Sequence, residues 1–414
     1  MALERALATG PSASRERAAF RLPRIGRSQF AAAGLLAPAV FATIVCLVIP
    51  LVMFLVRGVS NSEIVTALPT TIQSLQNWDG QNLPPDETFA RLAEDLSVAR
   101  TSGKLGELGR RMNIMVPGFR TLVMKTGTQM QTVPAEPRTA LIEIDKRWGE
   151  PEVWQLLRQE SGRWTDSYFL ASIDLKRTPG GDIVQVSPDQ KIFVGLFVRT
   201  FAISISVTVI CLLIGYPAAY VLASASPKWV GLLLLLVLLP FWTSTLVRST
   251  AWIVLLQNEG LINRTLRALG IIDGSLPLFA NRFAVLVAMT HVLLPYMIMP
   301  IYAAMKAVPA DQMRAAGSLG ATPPRAFRRV YLPQTHAGVA AGSLLVFILA
   351  LGYYVTPAIV GGPGDQMISY FIALFTNESL NWGLASALGT LLLLATTLFY
   401  VVFSRFGRSG AGAH

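Results

Sequence analysis

The chain has 414 residues, of which 52% are hydrophobic and only 14% are charged, with a formal net charge of +11. Soluble domains carry about a quarter charged residues, so a surface this poor in charge excludes an ordinary soluble enzyme. The two cysteines, Cys46 and Cys211, both lie in long apolar runs, which excludes a disulfide framework or a thiolate metal site.

Six apolar runs each reach the length of about 20 residues that a helix needs to cross a bilayer. They are Ala31–Val56, Thr200–Ala225, Trp229–Leu256, Phe283–Ala304, Thr335–Thr356 and Leu384–Phe403. The first run follows a basic segment, 1–30, and it is too extended for a cleaved signal peptide. We therefore predict an all-α membrane protein with six transmembrane helices, the first over 31–56 and five in a core over 193–404.

The distribution of basic residues predicts the orientation of these helices. With segment 1–30 and the tail 405–414 on the cytoplasmic side, the cytoplasmic segments carry fourteen Lys and Arg residues, whereas the short outer loops carry three. Because short cytoplasmic loops are enriched in Lys and Arg, we predict that both termini are cytoplasmic. The excess of positive charge is then explained by the cytoplasmic segments of a bacterial inner membrane protein, and we expect no nucleic-acid partner.

The segment 57–192, between the first two predicted spans, has a different composition. It contains 16 basic and 17 acidic residues, and helix-like patterns occur at Glu87–Arg100 and Pro151–Glu160. Five aromatic residues could form a small core: Trp148, Trp154, Trp164, Tyr168 and Phe169. We predict a mostly helical extracytoplasmic insert, the periplasmic insert domain, whose first part, Ser60–Pro85, is polar and rich in turn residues and is predicted to be a loop.

The motifs of common enzymes are absent from the sequence. No G-x-x-x-x-G-K-[ST] phosphate loop, H-E-x-x-H or G-x-S-x-G motif occurs, and the three histidines are scattered. We predict no catalytic residue, no metal site and no cofactor bound by this chain.

The cytoplasmic loop 309–333, between the fourth and fifth predicted spans, has the signals of two short helices. Asp311 could cap the first helix, which would run to Leu319 and end at Gly320. The Pro323-Pro324 pair could open the second. Such a loop at the membrane face could be a docking element for another protein, or an ordinary basic loop that pairs with anionic headgroups.

This loop resembles the E-A-A-x3-G-x9-I-x-L-P signature of the permease subunits of bacterial ABC importers. The matching residues are Ala315, Ala316, Gly320, Val330 in place of Ile, Leu332 and Pro333. Arg314 departs from the signature, because the family usually has Glu there. The resemblance implies that the loop forms a coupling helix that sits in a cleft of the ATPase subunit, and it leaves the polar contact at Arg314 in doubt.

The resemblance covers residues 192–404 well and 30–56 weakly, and it extends to the spermidine/putrescine group of permeases. The segments that carry it are Gly215–Tyr220, Pro240–Trp242, Leu246–Trp252, Leu294–Tyr296 and Gly352–Pro357. It implies the type I ABC importer permease fold. Most of the 57–192 insert lies outside the resemblance.

Several aromatic residues in the predicted spans could line a pathway for a cation, or could be packing and interface residues. They are Phe241, Trp242, Trp252, Tyr296, Tyr353 and Tyr354. Arg248 is a charge inside the third predicted span, where a functional role must be considered. We favour snorkelling or a structural pair for Arg248 over contact with the solute.

The hypothesis is an inner-membrane permease subunit that forms half of a translocation pathway in an ATP-driven importer. Its expected partners are a second, different permease chain, two ATPase subunits that hold ATP and Mg, a periplasmic solute-binding protein and the lipid bilayer. A polyamine is the solute that the resemblance implies, with an amino-acid derivative or opine as the alternative. An ATP-independent secondary transporter would be expected to have ionisable groups in its spans, and no Asp or Glu lies within the six runs.

Overall fold

The computed structural model describes the backbone of residues 27–130 and 133–409 and the side chains of residues 34–130 and 133–404. The chain divides into two compact units, Met1–Met53 and Phe54–His414. The predicted segment 1–30 lies outside the described residues up to position 26, and the predicted tail 405–414 lies outside them from position 410.

The first apolar run is helical throughout its described length. It consists of α1 (Arg27–Thr43), a π-helical turn (Ile44–Val48) and α2 (Ile49–Arg57). Pro50 has no N–H to donate to the preceding turn, and the helix widens to π geometry just before it. The stretch Gly34–Arg57 is long and apolar enough to cross a membrane.

The insert is mostly helical, and its described part contains eight α-helices. They are α3 (Ser62–Ala67), α4 (Pro69–Gln76), α5 (Asp86–Thr101), α6 (Leu105–Met115), α7 (Phe119–Gln129), α8 (Pro137–Ile144), α9 (Pro151–Gln159) and α10 (Ser167–Ser172). The prediction that Ser60–Pro85 is a loop was wrong, because α3 and α4 lie within it. Four buried side chains at helical spacing hold these two helices on the core: Ile64, Leu68, Ile72 and Leu75.

The core of the insert is built around two tryptophans. Trp148 and Trp154 are completely buried, and their ring centroids are 5.5 Å apart. Each indole N–H is satisfied, Trp148 donating to Thr126 Oγ1 at 2.9 Å and Trp154 to the Trp148 carbonyl at 3.0 Å. Trp164, which we had also placed in this core, is instead 67% exposed.

A short hairpin connects the insert to the second span. Strands β1 (Leu175–Arg177) and β2 (Ile183–Gln185) pair antiparallel, with Leu175 opposite Gln185. Just before β1, Asp174 adopts a left-handed conformation (φ 60°), and its carboxylate accepts hydrogen bonds from the N–H groups of residues 192, 193 and 194. The insert thus supplies the N-terminal cap of the next membrane helix.

Twelve α-helices follow in the described part of the core. They are α11 (Phe193–Ser224), α12 (Pro227–Leu238), α13 (Thr245–Leu256), α14 (Leu261–Ala268), α15 (Arg282–Ala307), α16 (Ala310–Ser318), α17 (Pro323–Ala326), α18 (Leu332–Gln334), α19 (His336–Gly352), α20 (Val355–Val360), α21 (Ile368–Asn377) and α22 (Trp382–Ser409). Short non-α turns are interspersed: 3-10 turns at Lys146–Gly149, Pro188–Gln190, Leu239–Trp242 and Pro363–Asp365, and a π turn at Phe327–Tyr331.

Helices α11, α15 and α19 form the centre of the core, and glycines allow them to pack closely. A Cβ on Gly215 of α11 would lie 3.0 Å from Cγ of Met297, and a Cβ on Gly342 of α19 would lie 3.0 Å from the Met297 carbonyl. A Cβ on Gly338 would lie 2.5 Å from Cβ of Ala304. These approaches leave no space for larger residues, so the three helices are held at fixed distances.

The third predicted span is not a continuous helix. It bends by 98° between Pro227–Trp242 and Thr245–Ala268, and Pro323–Gln334 meets His336–Gly352 at 58°. Within residues 27–130 and 133–409, four straight helices are long and apolar enough to span a membrane, or six if each bent pair counts as one span. Pro240, in the turn Leu239–Trp242, cannot donate a backbone hydrogen bond and helps to end the first half of the third span.

The insert and the membrane core share a boundary at the start of α22. A Cβ on Gly383 would lie 2.1 Å from Cζ of Tyr168, so the tyrosine ring of the insert lies directly against the helix backbone. Ser386 Oγ donates to the carbonyl of Phe54 at 2.5 Å, and Ile368 N–H donates to Thr200 Oγ1 at 2.8 Å. The Tyr168 contact thus joins the insert to α22, while the two hydrogen bonds join α22 to α2 and α21 to α11.

Candidate functional site

The first helix of the loop 309–333 begins two residues earlier than predicted. Pro309 takes the cap position, and Asp311 lies in the first turn of α16 without capping it. Asp311 is instead paired with Arg314, one turn later, at 3.4 Å, and both side chains are more than three-quarters exposed. A carboxylate in the first turn still stabilises the helix through its dipole, while such an exposed ion pair contributes little.

Gly320 ends this helix through its backbone conformation. Its φ is 85°, and it forms the two hydrogen bonds of a Schellman motif, Gly320 N–H to the Gly317 carbonyl at 2.9 Å and Ala321 N–H to the Ala316 carbonyl at 3.0 Å. No atom lies within 4 Å of the position that a Cβ would take. Glycine is therefore required here for its left-handed conformation, and the space beside it is open to a partner.

The second half of the loop turns the chain into α19. Pro323 and Pro324 begin α17, as the sequence predicts, and a π-helical turn, Phe327–Tyr331, and α18 follow. The 58° bend before His336 separates this segment from the membrane helix.

The signature residues are distributed over two environments. Arg314, Ala315, Leu332 and Pro333 are exposed, whereas Val330 is half-buried and Ala316 is only 9% exposed. Ala316 therefore packs against its own chain. Leu319, which we did not single out, is 89% exposed beside Gly320 and is the most prominent apolar side chain of the loop.

An aromatic cluster connects this loop to α11. Phe327 and Tyr331 are stacked at 5.6 Å, and Tyr220 contacts both rings edge-on at 5.6 and 5.8 Å. Tyr216 adds an edge contact to Phe327 at 6.4 Å, and its hydroxyl is 3.1 Å from Thr335 Oγ1. We had noted Tyr216 and Tyr220 only as part of a family segment. The spacing of four between Tyr216 and Tyr220, which puts both on one helix face, was the available signal.

Arg248 is folded back onto the break in the third span. Its Nη1 donates to the Pro240 carbonyl at 2.7 Å and its Nη2 to Thr245 Oγ1 at 3.2 Å, while its buried Nε has no partner among the described residues. The bend frees backbone carbonyls that a straight helix would satisfy, and the guanidinium takes up one of them. Arg248 thus forms a structural pair with the backbone.

The aromatic residues that we proposed for a pathway lie in different settings. Phe241 and Tyr296 meet edge-on with centroids 4.8 Å apart, and Trp252 Nε1 donates to His291 Nδ1 at 3.3 Å. Trp242 is 85% exposed, Tyr354 is 41% exposed and Tyr353 is half-buried. The structure therefore brings Phe241 and Tyr296 together, whereas Trp242, Tyr353 and Tyr354 make no ring contact among the described residues.

An apolar cavity of about 430 Å³ lies beside the same break, lined by residues of α11, α12 and α15 and by Pro240 and His291. Among the described residues, the only Asp or Glu within the straight spans and the two bent pairs is Glu259, which lies between α13 and α14, is 65% exposed and pairs with Arg267 at 2.7 Å. No group of three His, Cys, Asp or Glu side chains among these residues could hold a metal ion. The polar groups around the break are backbone carbonyls, hydroxyls, Arg248 and His291.

The insert has an open groove of about 750 Å³ on its surface. Trp164 is exposed on its rim, Phe169 lines it, and the ion pair between Arg177 and Asp166 (2.5 Å) lies alongside. The hydrogen bond from Arg177 lowers the pKa of Asp166, so this carboxylate stays charged in mild acid. A large exposed aromatic next to fixed charges is typical of a protein-binding surface.

Residues 194–409 match the family described as the inner membrane component of binding-protein-dependent transport systems. The chain is 37% identical over 194 residues to the spermidine/putrescine transport system permease protein PotB of Haemophilus influenzae, which covers 46% of this chain and 68% of that protein. It is 32% identical over 201 residues to PotB of Escherichia coli, covering 49% and 73%. A solved bacterial ABC transporter that imports alginate aligns with a TM-score of 0.44 at 17% identity, over 52% of this chain and 79% of that chain.

The chain belongs to the family of inner membrane components of binding-protein-dependent transport systems. It is a multi-pass permease subunit of an ABC importer, and the ATPase is a separate subunit. The predicted family, the all-α permease fold and the assignment as a transport subunit that is not an enzyme are confirmed by this membership.

Proposed function

We propose that this chain forms half of the translocation pathway of a polyamine importer, with spermidine or putrescine as the solute. The observation that carries the proposal is the 37% identity to a spermidine/putrescine permease, over 68% of that protein. The family match covers residues 194–409, and the insert lies outside that range.

The described spans support a pathway of low intrinsic selectivity. Among the described residues, their only carboxylate is Glu259, which is exposed and already paired with Arg267, so no free carboxylate is available to bind a polycation tightly. Aromatic faces such as Phe241, Trp242 and Tyr296 offer weaker cation–π contacts. Arg248 is engaged with a backbone carbonyl, which favours a structural role over contact with the solute. Strong selection is then the task of a solute-binding protein, which delivers the polyamine to the outer side.

The binding protein docks on the insert in this proposal, and Trp164 is the anchor of the docking surface. An exposed tryptophan beside an open groove has the properties of an interface hot spot. Replacing Trp164 with Ala should weaken binding-protein docking by about tenfold or more. Ser161→Ala is a suitable control, because Ser161 is nearby in the chain and half-buried, whereas a substitution of the buried Trp154 would disturb the core of the insert.

Two ATPase subunits, which hold ATP and Mg, dock on the loop 309–333 of this chain and on the matching loop of a second, different permease. Leu319 and the open space beside Gly320 form the contact, with exposed Arg325, Arg328 and Arg329 around it. ATP binding closes the ATPase pair, and the aromatic cluster on α11 transmits that motion to the spans. The inward-facing and outward-facing states are two arrangements of the same helices, and ATP binding shifts the population toward one of them. Both termini are cytoplasmic in this arrangement, as the distribution of basic residues predicts.

The test is stimulation of ATP hydrolysis by a panel of solutes in the reconstituted complex with its binding protein. We expect spermidine and putrescine to stimulate hydrolysis severalfold, and arginine and octopine to leave the basal rate unchanged. Stimulation by arginine or octopine alone would contradict the polyamine assignment while leaving the importer class intact.

A further inference from the structure

A polar cavity of about 400 Å³ lies where the insert meets the start of α22, and the proposed transport function gives it no task. Five charged side chains line it: Arg57, Glu63, Glu107, Arg110 and Arg111. Arg57 ends the first candidate span, and α22, the last one, begins at the same cavity with Trp382. The cavity therefore lies at the boundary between a membrane face and the insert.

Most of these charges have no ionic partner within the protein. Among the described residues, Glu63, Glu107 and Arg110 form no ion pair, although carboxylates and guanidiniums line the same cavity. Arg57 donates only to Ser62 Oγ, at 3.0 Å. Unpaired carboxylates and guanidiniums around one space leave both hydrogen-bond acceptors and donors available to a bound molecule.

Two buried atoms in this set lack any hydrogen-bond partner. Arg111 is only 2% exposed, and its Nη2 is bound to Glu160 at 2.6 Å, whereas its Nη1 is buried and unpartnered. Glu63 Oε2 is likewise buried and unpartnered. Native proteins rarely leave such atoms unsatisfied, so a donor and an acceptor from a bound molecule are expected here.

The charge balance defines the kind of molecule. The cavity has three guanidiniums and, counting Glu160 behind Arg111, three carboxylates, so it carries no net charge. A neutral site with separated positive and negative groups favours a zwitterion over an anion or a cation.

The rim of the cavity points to a lipid as the source of that zwitterion. Leu380 and Trp382 are 49% and 45% exposed, and Leu380 holds a left-handed conformation (φ 52°) that is costly for a branched residue. This left-handed conformation turns the chain just before α22. Trp382 is the first residue of that span, where tryptophan side chains commonly contact lipid headgroups.

We propose that this cavity binds the headgroup of a zwitterionic phospholipid that carries a phosphate and a primary ammonium, as in phosphatidylethanolamine. Arg110, Arg111 and Arg57 take the phosphate, Glu63 and Glu107 take the ammonium, and Leu380 and Trp382 contact the start of the acyl chains. The bound lipid would join the insert to the ends of the first and last spans.

The test is native mass spectrometry of the full transporter complex after incubation with equal amounts of dioleoyl phosphatidylethanolamine, phosphatidylglycerol and phosphatidylcholine. We expect the wild-type complex to retain phosphatidylethanolamine about tenfold over either other lipid. Glu63→Gln should reduce its retention to the level of phosphatidylglycerol, and Arg110→Gln should lower the retention of all three lipids by about tenfold. The exposed residues Glu152 and Arg163 lie outside the cavity, and Glu152→Gln and Arg163→Gln should change nothing.

Equal retention of the three lipids by the wild type, or unchanged retention by both cavity variants, would overturn the proposal. Soluble O-phosphoethanolamine provides the second arm of the test. If it binds as tightly as the lipid and displaces it, the site serves a free solute and the lipid assignment is wrong. Because retention is measured without transport, a failure here is independent of the identity of the imported solute.

Discussion

A comparison of Gly320→Trp with Gly320→Asn separates a structural role of this residue from its proposed role. The structural role is to hold a left-handed turn at the end of α16, and the proposed role is to leave space for the ATPase. Tryptophan disturbs both, whereas Gly320→Asn preserves most of the first because asparagine tolerates this conformation.

The expected magnitudes follow from the geometry. A non-glycine residue at φ 85° costs roughly 1–2 kcal/mol, and overfilling a packed contact costs typically 1–3 kcal/mol. Nothing in this chain lies within 4 Å of a Cβ at Gly320, so the second cost arises only when a partner is present. The second cost alone acts on the complex, and it predicts that Gly320→Trp weakens ATPase binding by about tenfold, while Gly320→Asn stays within about threefold of the wild type.

Gly270 offers a matched control. Its φ is 69°, no atom lies within 4 Å of its Cβ position, and it ends α14 with the same pair of hydrogen bonds. Gly270→Trp therefore imposes the same backbone strain away from the coupling loop. The measurement is the affinity of the purified ATPase for the permease pair in nanodiscs. Wild-type affinity for Gly320→Trp, or an equal loss for Gly270→Trp, would refute the reasoning.

Three further predictions follow from single contacts. Gly383→Ala should lower the free energy of unfolding by about 1–3 kcal/mol, because its Cβ would overlap the Tyr168 ring, and this loss is measured as a lower thermal unfolding midpoint. Gly352→Ala, which meets nothing within 4 Å, should not. Arg248→Met should reduce transport with little change in ATPase binding, as measured by solute uptake and co-purification, because a carbonyl at the break loses its donor. A neighbouring guanidinium lowers the pKa of Asp145 by hydrogen bonding, so this carboxylate stabilises the insert above the usual carboxyl value of 3.8. That stability is lost as pH falls through the lowered pKa. Asp145→Asn should therefore make the thermal unfolding midpoint depend less steeply on pH between about pH 5 and pH 2. If the midpoints of the variant and the wild type fall in parallel over this range, the assignment is contradicted.

Apolar run length predicted the membrane segments because a bilayer sets a minimum length for every span. It could not predict the 98° bend at Thr243 and Ser244, because an apolar sequence is equally compatible with one straight helix or two joined pieces. Pro240 was visible in the sequence, but membrane helices tolerate proline, so its presence did not distinguish a kink from a break. The bend also determines the partner of Arg248, which the position of the charge alone left open.

Short helices were predicted poorly for a different reason. Ser60–Pro85 is polar and rich in turn residues, but its buried residues recur at intervals of three and four, which is the spacing of a helix. The prediction of a loop relied on the composition and gave too little weight to this hydrophobic periodicity. In the coupling loop, the prolines and Gly320 were informative because their backbone restrictions are local. The burial of Ala316 and the exposure of Leu319 depend on how the two short helices pack against each other, which local signals do not contain.

The contacts that join the insert to the core could not be predicted from the sequence either. Asp174 caps a helix that begins 19 residues later, and Tyr168 packs on Gly383 across more than 200 positions of the chain. Such contacts are set by tertiary structure alone. They tie the insert to the ends of α11 and α22.

Uptake of radiolabelled spermidine into proteoliposomes tests the central claim most directly. The vesicles would contain the two permease chains and the ATPase, with ATP inside and the solute-binding protein with spermidine outside. We predict accumulation that requires both ATP and the binding protein and that Gly320→Trp abolishes. Accumulation without ATP, or none when all components are present and hydrolysis is active, would contradict the account.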